Sequence, residues 1–318
     1  MKKIFKFALI GTGLFSVFSV ILILFLLKDG FTDVKTVIFS VPEQNAVSWE
    51  NIFSNSEKIE LIAYNTGVME GDRYPEIDMD MPDRNKGYDV NGYIIRHKTR
   101  GDFLVDTGFD ESFYRNPPFG NSPFAIKLLL NLISNNNFTL HEDRNINLYL
   151  KKYAVKPEGI FFTHLHFDHI AGVPAVTDDV KLIMDGKEIN FINKAQSLGS
   201  YLKGKNNFYT LDFSKGIDMP VLGKCIDVFG DGSFLAISTP GHSAGHVSYI
   251  VNSVNGPALV TGDAVFYKNS LKYNLGHKIF DADYDRAVKT RQKIIEFLKL
   301  YPEVIIYPGH EAGPVYFN

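Results

Sequence analysis

Thr163-His164-Leu165-His166-Phe167-Asp168-His169 is the stretch that decides how this chain of 318 residues is read. Four groups able to bind a metal ion fall between residues 164 and 169, directly after the apolar run Gly159–Thr163, which reads as a buried strand. Imidazole and carboxylate suit zinc and its first-row neighbours. His164 and His166 are alternate residues, so on an extended strand end they point the same way. Asp168 and His169 follow as the chain turns and can face a second ion. A single histidine is usually an ordinary core or surface residue, but that reading does not account for four ligand types in this order.

Downstream, three turns each follow a predicted strand: Thr239-Pro240-Gly241-His242, Thr261-Gly262-Asp263 and Tyr307-Pro308-Gly309-His310. Glycine beside each ligand permits a tight turn, and proline pre-sets two of the loops. Strand-like runs occur at Ile59–Tyr64, Gly92–His97, Asp102–Val105, Lys224–Phe229, Phe234–Ser238, Val247–Val251, Ala258–Thr261 and Val304–Tyr307. Helices are predicted at Phe124–Ile133, Ile146–Ala154 and Asp281–Leu300. On the last, Tyr284, Ala287, Val288, Ile294, Ile295 and Leu298 share one face. Strands come mostly first and then alternate with helices, which fits sheets packed face to face with helices outside. The loop Thr66–Val90 carries Glu70, Asp72, Glu76, Asp78, Asp80 and Asp83 and reads as a solvated surface.

Apolar residues at 45% and charged residues at 22% are ordinary for a globular enzyme. A net charge of −3 argues against a nucleic-acid partner. Cys225 is the one cysteine, so an internal disulfide and a Cys-rich zinc site are both excluded. Any metal must be held by histidine and carboxylate.

The N-terminus differs from the rest. Lys2, Lys3 and Lys6 precede the uncharged run Phe7–Leu27, which meets the roughly 20 residues needed to cross a bilayer. Residues 1–30 are therefore expected to form a membrane anchor, with 7–27 as one transmembrane helix. The run lacks the small residues at which a signal peptide is cleaved. Cleavage, giving a secreted protein, is the alternative. The lysines place Met1 on the cytoplasmic side and the rest of the chain outside. Residues 31–56 read as a tether, and 57–318 as the catalytic domain.

The pattern H-x-H-x-D-H, then a P-G-H turn, a G-D turn and a final G-H, resembles the signature of metallo-β-lactamase-fold hydrolases. The motifs span residues 163–310, and Leu104-Val105-Asp106-Thr107-Gly108 also matches. The resemblance implies an α/β fold, an αββα sandwich, with its site on the edge where the sheets meet. It implies His164, His166 and His242 on one metal ion, Asp168, His169 and His310 on a second, and Asp263 bridging both. Asp106 matches a position that steadies the ligand loop. Two Zn2+ ions are the expected cofactors, with Mn2+ or Fe2+ possible in their place. Asp168 is the expected catalytic carboxylate, orienting the nucleophile and passing a proton to the leaving group.

Asp263 steers away from true metallo-β-lactamases and towards lactonases and glyoxalase-II-like thioesterases. Thr239-Pro240-Gly241-His242-Ser243-Ala244-Gly245-His246 looks most like the N-acyl-homoserine lactone lactonases, with His246 outside the ligand set. Many of those enzymes have tyrosine three residues after the bridging aspartate. Here that position is Phe266, with Tyr267 next, and both are candidate substrate-binding residues. The resemblance implies an ester or lactone hydrolase whose small-molecule substrate has an apolar portion, with Asn116–Phe119 and Phe124–Ile133 as a candidate apolar wall. A thioesterase, phosphodiesterase or sulfatase on the same metals is the alternative. A membrane-tethered binding protein with a silent metal site is the alternative of another class.

Overall fold

In the computed structural model, which describes residues 34–45, 48–73, 83, 86–114, 138–139, 143–192 and 199–317, most strands bury apolar side chains on both faces. Strands β1 (Thr36–Ile38), β2 (Glu60–Met69), β3 (Tyr88–His97), β4 (Gly101–Val105), β5 (Phe138–Thr139), β6 (Pro157–Phe161), β7 (Lys181–Asp185) and β8 (Phe208–Leu211) make one sheet. It is eight-stranded, in the order β1-β8-β7-β6-β4-β3-β2-β5. Strands β9 (Ile217–Met219), β10 (Gly223–Asp227), β11 (Phe234–Ser238), β12 (Val247–Ser253), β13 (Gly256–Gly262) and β14 (Ile305–Pro308) make the other. It is six-stranded, in the order β14-β13-β12-β11-β10-β9.

Alternation assigns the layers. Tyr93 and Ile95 of β3 meet Phe234 and Ala236 of β11 in the apolar layer between the sheets. Ile94 of β3 faces the opposite way, onto Phe109, Phe113, Ile146 and Ile170. Leu235 and Ile237 of β11 face the helices Trp49–Asn55 and Tyr284–Leu300. Helical material therefore covers both outer faces, and the αββα sandwich expected from the sequence is present.

The pairing fixes where the site forms. β4 and β6 run parallel, so Asp106 and His164 emerge at the same end of the first sheet. β12 pairs antiparallel with both β11 and β13, and β14 pairs parallel with β13. The turns that carry His242, Asp263 and His310 thus leave the second sheet at one edge. The edges are joined there: Val247 N–H donates to Thr163 O at 2.8 Å, and Tyr249 Oη donates to Phe162 O at 2.7 Å.

Several expectations are revised. Among the described residues no helix is long and apolar enough to cross a membrane. The longest described helix, Tyr284–Leu300, has 17 residues and a charged outer face, short of the roughly 20 apolar residues a crossing needs. The expected transmembrane helix and the single-pass membrane localisation are corrected accordingly. The run Phe7–Leu27 that prompted them lies outside the described residues, as do Asn116–Phe119 and Phe124–Ile133. β2 and β3 extend into the stretch read as an acidic loop. Polar residues carry that extension, because Asn65 Nδ2 donates to Asp89 Oδ1 at 3.0 Å and Asn91 Oδ1 at 3.1 Å. Asp83 in the same stretch accepts from Arg73 Nη1 at 3.3 Å and Asn269 Nδ2 at 2.9 Å.

The segment 31–56, read as a tether, contributes β1, paired in parallel with β8, and the helix Trp49–Asn55. Ser48 caps that helix by accepting from Asn51 N–H at 3.3 Å. Trp49 is fully buried, edge-on to Phe297 at 5.1 Å, and its indole donates to Pro220 O at 3.0 Å. Trp49→Ala removes the ring and the donor together. Equilibrium denaturation should show a loss of about 3–5 kcal/mol, the usual range for truncating a buried aromatic.

Candidate metal centre

His164 sits three residues beyond β6 and one after Thr163, and Thr163 is held by Asp106. Asp106 Oδ1 accepts from Thr163 N–H and Oδ2 from Thr163 Oγ1, each at 2.8 Å. The same Oδ2 accepts from His169 Nδ1 at 2.7 Å. Thr107 N–H and Oγ1 then donate to His169 O at 2.9 and 2.8 Å. The ligand loop is thereby fastened at both ends to the turn after β4. Asp106 holds this position with φ +53, in the left-handed region that aspartate tolerates better than most residues.

Three ring nitrogens converge from two loops. His164 Nε2 lies 2.8 Å from His166 Nδ1, and His242 Nε2 lies 3.2 and 2.9 Å from those two atoms. His242 Nδ1 faces the buried carboxylate of Asp281 at 3.2 Å, which makes Nδ1 the donor and leaves the Nε2 lone pair facing inward. Asp168, His169 and His310 form a second group, and the ligand atoms within each group lie within 4.8 Å of one another. His310 is fixed by its Nδ1 donating to Asp89 O at 2.9 Å. Its backbone N–H bonds Phe266 O at 3.0 Å, so the two ligand-bearing turns are stitched together.

Asp263 lies between the groups. Its Oδ2 is 3.4 Å from His242 Nε2, 3.8 Å from His164 Nε2 and 3.1 Å from His310 Nε2, while Oδ1 is 3.3 Å from His169 Nε2. A Cβ on residue 309 would come within 2.4 Å of Asp263 Oδ1, so Gly309 is what admits the carboxylate. Asp263 N–H donates to His246 Nε2 at 3.0 Å, and His246 Nδ1 then donates to Thr239 Oγ1 at 2.8 Å. His246 therefore orients the turn without joining either group.

Protonation follows from burial and neighbours. Burial, with the adjacent histidines, holds His164 and His166 well below the ordinary imidazole range. Burial pulls His169 the same way, but Asp106, Asp168 and Asp263 overcome it and hold it well above that range. His310 is likewise raised against burial, by Asp263 and Asp168. Burial works to raise Asp263, yet His310, His169, His242 and His164 keep it well below the usual carboxylate range. Burial, aided by His242, pushes His246 down to about 3.

This arrangement fits metal ions. Among the described residues, buried His169 Nε2 and Asp263 Oδ1 have no hydrogen-bond partner. Three imidazole nitrogens directed at one point cannot all be satisfied by protons, whereas a cation accepts all three lone pairs. The sequence profile of the Metallo-beta-lactamase superfamily matches residues 85–310. The chain belongs to the metallo-β-lactamase superfamily. Within that superfamily it is similar to an N-acyl homoserine lactonase of Bacillus sp, 27% identical over 219 residues, covering 66% of this chain and 77% of the relative. It is 30% identical over 125 residues to a hydroxyacylglutathione hydrolase of Shewanella sp. (strain ANA-3), covering 39% of this chain and 41% of that enzyme. A solved quorum-quenching N-acyl homoserine lactone lactonase shares the fold with a TM-score of 0.61 at 21% identity, covering 81% of this chain and 94% of that one. The protein is a metal-dependent hydrolase, and the His/Asp groups indicate a divalent metal ion, for which zinc is the typical occupant in this superfamily.

The two expected substrate-binding residues part company. Phe266 lies against the centre, its ring centroid 5.3 Å from that of His242 and 5.0 Å from that of His310. Tyr267 is fully buried under the guanidinium of Arg73, 4.4 Å from its ring, and packs on Tyr88. Sequence reasoning missed Asp281, which it placed inside a helix. That helix starts at Tyr284 with Asp283 as its cap. It also missed Glu188, a buried carboxylate whose pKa is raised by burial.

Asp106→Asn keeps a residue that tolerates positive φ but replaces the charged partner of His169. Competition with a chromophoric chelator should show metal affinity falling about 10–100-fold, the usual cost of losing a group that orients a ligand. An unchanged affinity would remove Asp106 from the centre.

Proposed function

We propose that this protein is a dinuclear hydrolase that opens ester-type carbonyls, and that its preferred substrate is a lactone with an apolar portion. The observation that carries the reading is Asp263, one carboxylate facing both ligand groups. His164, His166 and His242 would hold one ion, Asp168, His169 and His310 the second, and Asp263 would face both. Bound there, such ions supply Lewis acidity and lower the pKa of water.

The residues of the chain supply the rest. Asp168 turns Oδ2 toward His169 and His310, each 3.6 Å away. Its other oxygen can take a proton from the attacking water and return it to the leaving alkoxide. Phe266 offers an apolar wall beside His242, which suits a greasy substrate and excludes water from the reacting carbonyl. Tyr267 is packed under Arg73, and Phe266, at the position where the lactonase resemblance implied a carbonyl-facing tyrosine, carries no hydroxyl. A missing hydroxyl donor of that kind costs up to roughly 4 kcal/mol of transition-state binding. The lactonase reading rests on the likeness to N-acyl homoserine lactonases. The local likeness to a hydroxyacylglutathione hydrolase favours a thioester as the second reading.

Elemental analysis of protein purified without chelator should give about two zinc ions per chain, as a two-metal hydrolase requires. Asp263→Ala should lower kcat/KM more than the roughly 100-fold that loss of an orienting group costs, with the circular dichroism spectrum unchanged. Turnover equal to wild type would sink the two-metal reading.

Across long-chain and short-chain lactones, aryl esters and a thioester, lactones should have the highest kcat/KM. A thioester lead of more than about tenfold, equal to ~1.4 kcal/mol, would replace the lactonase reading and leave the hydrolase intact.

A further inference from the structure

Glu188 ends the short turn Gly186–Glu188 that follows β7 and is 1% exposed. It belongs to neither ligand group. Its Oε2 accepts from Leu165 N–H at 3.2 Å, and its Oε1 accepts from Ser243 Oγ at 2.7 Å and Gly245 N–H at 2.8 Å. Leu165 stands between His164 and His166, and Ser243 follows His242. One carboxylate therefore joins the two loops whose three imidazole nitrogens converge.

Gly245 is part of this device. A Cβ there would lie 2.9 Å from Glu188 Oε1 and 3.0 Å from Asp185 Oδ1. Ser243 and Gly245, which the proposed chemistry leaves unused, are thus the positions that receive Glu188. Hydrogen bonds to a charged acceptor are roughly twice as strong as neutral ones, and three donors converging on one buried carboxylate resist separate movement of the loops.

We propose that Glu188 is a positioning residue for the His164–His166–His242 half of the centre, clasping the two loops so that their nitrogens meet at one point. This rests on the dinuclear reading above. The role is selective, because Glu188 bonds the backbone between His164 and His166 and the turn after His242, whereas His169, farther along the same ligand loop, is fixed by Asp106 and Thr107, and Glu188 bonds no residue of the turns that carry Asp263 or His310. It predicts that losing the carboxylate weakens one metal ion and spares the other.

The test uses Zn2+ as the probe and the full chain in four forms: wild type, Glu188→Ala, Glu188→Gln and Ser243→Ala. Zinc per folded chain is read after dialysis against graded chelator, alongside the melting curve of the metal-free protein. Wild type should retain about two ions, as a dinuclear site requires. Glu188→Ala should hold one ion as wild type does and bind the other at least about tenfold more weakly, the lower bound for an orienting partner. Glu188→Gln and Ser243→Ala should fall between, and they carry the test if Glu188→Ala does not fold.

Placed in a His169→Ala background, Glu188→Gln should weaken the one remaining ion. In a His166→Ala background it should leave the remaining ion unchanged. A lowered melting temperature with both ions held at wild-type affinity would overturn the proposal and leave Glu188 a core residue. Equal weakening of both ions would overturn the selectivity. A wild type that takes up no zinc would overturn the dinuclear reading, and this proposal with it.

Discussion

Three imidazole nitrogens held 2.8–3.2 Å apart in a buried space form an arrangement that a protein does not adopt on its own account. Their lone pairs repel, and no assignment of protons satisfies all three. The surrounding structure positions His164, His166 and His242 so that one cation would accept all three lone pairs. The two sheets provide that positioning. Parallel pairing of β4 with β6, and the pairings among β11 to β14, deliver every ligand-bearing turn to one edge.

The scaffold is completed by a ring of acceptors and carboxylates outside the ligands. Asp106 sets the tautomer of His169, Asp281 that of His242 and the Asp89 carbonyl that of His310. His246 holds the backbone that presents Asp263. Each directs the other ring nitrogen, or the carboxylate, inward, and a binding cation would displace any proton retained there. The titration directions agree with a division of labour. His164 and His166 are kept neutral by burial, while His169 and His310 are surrounded by carboxylates and hold their protons more strongly.

The sandwich, and the gathering of histidines and aspartates into groups that could hold a metal, were legible in the sequence for a chemical reason. A metal needs its donors close together and on turns, so histidine, aspartate, glycine and proline gather at recognisable spacings after apolar runs. Asp281, Glu188 and the role of His246 leave no such trace, because a lone carboxylate or histidine that acts through another residue has no fixed spacing from it. The helix Tyr284–Leu300 was foreseen from its apolar stripe, but Arg291 sits fully buried in that stripe and Val288 and Ile295 are only half-buried. The polar ends of β2 and β3 escaped because their pairing relies on Asn65, Asp89 and Asn91 rather than apolar alternation. The helix Trp49–Asn55 has 7 residues, too few to show a period.

β14 pairs in parallel with β13, and parallel neighbours need a crossover, here spanned by the helix Tyr284–Leu300. That topology has a kinetic meaning. His310 reaches Asp263 only after the helix has docked and the last strand has zipped alongside β13. Such long-range parallel pairing is among the slower events of folding, because loop entropy is lost before contacts compensate. The donor set is divided in the same way: His164, His166, Asp168 and His169 are neighbours along the chain, whereas His242, Asp263 and His310 join them only through the second sheet. Full enclosure of an ion therefore waits on the pairing of β14 with β13, the step that delivers His310.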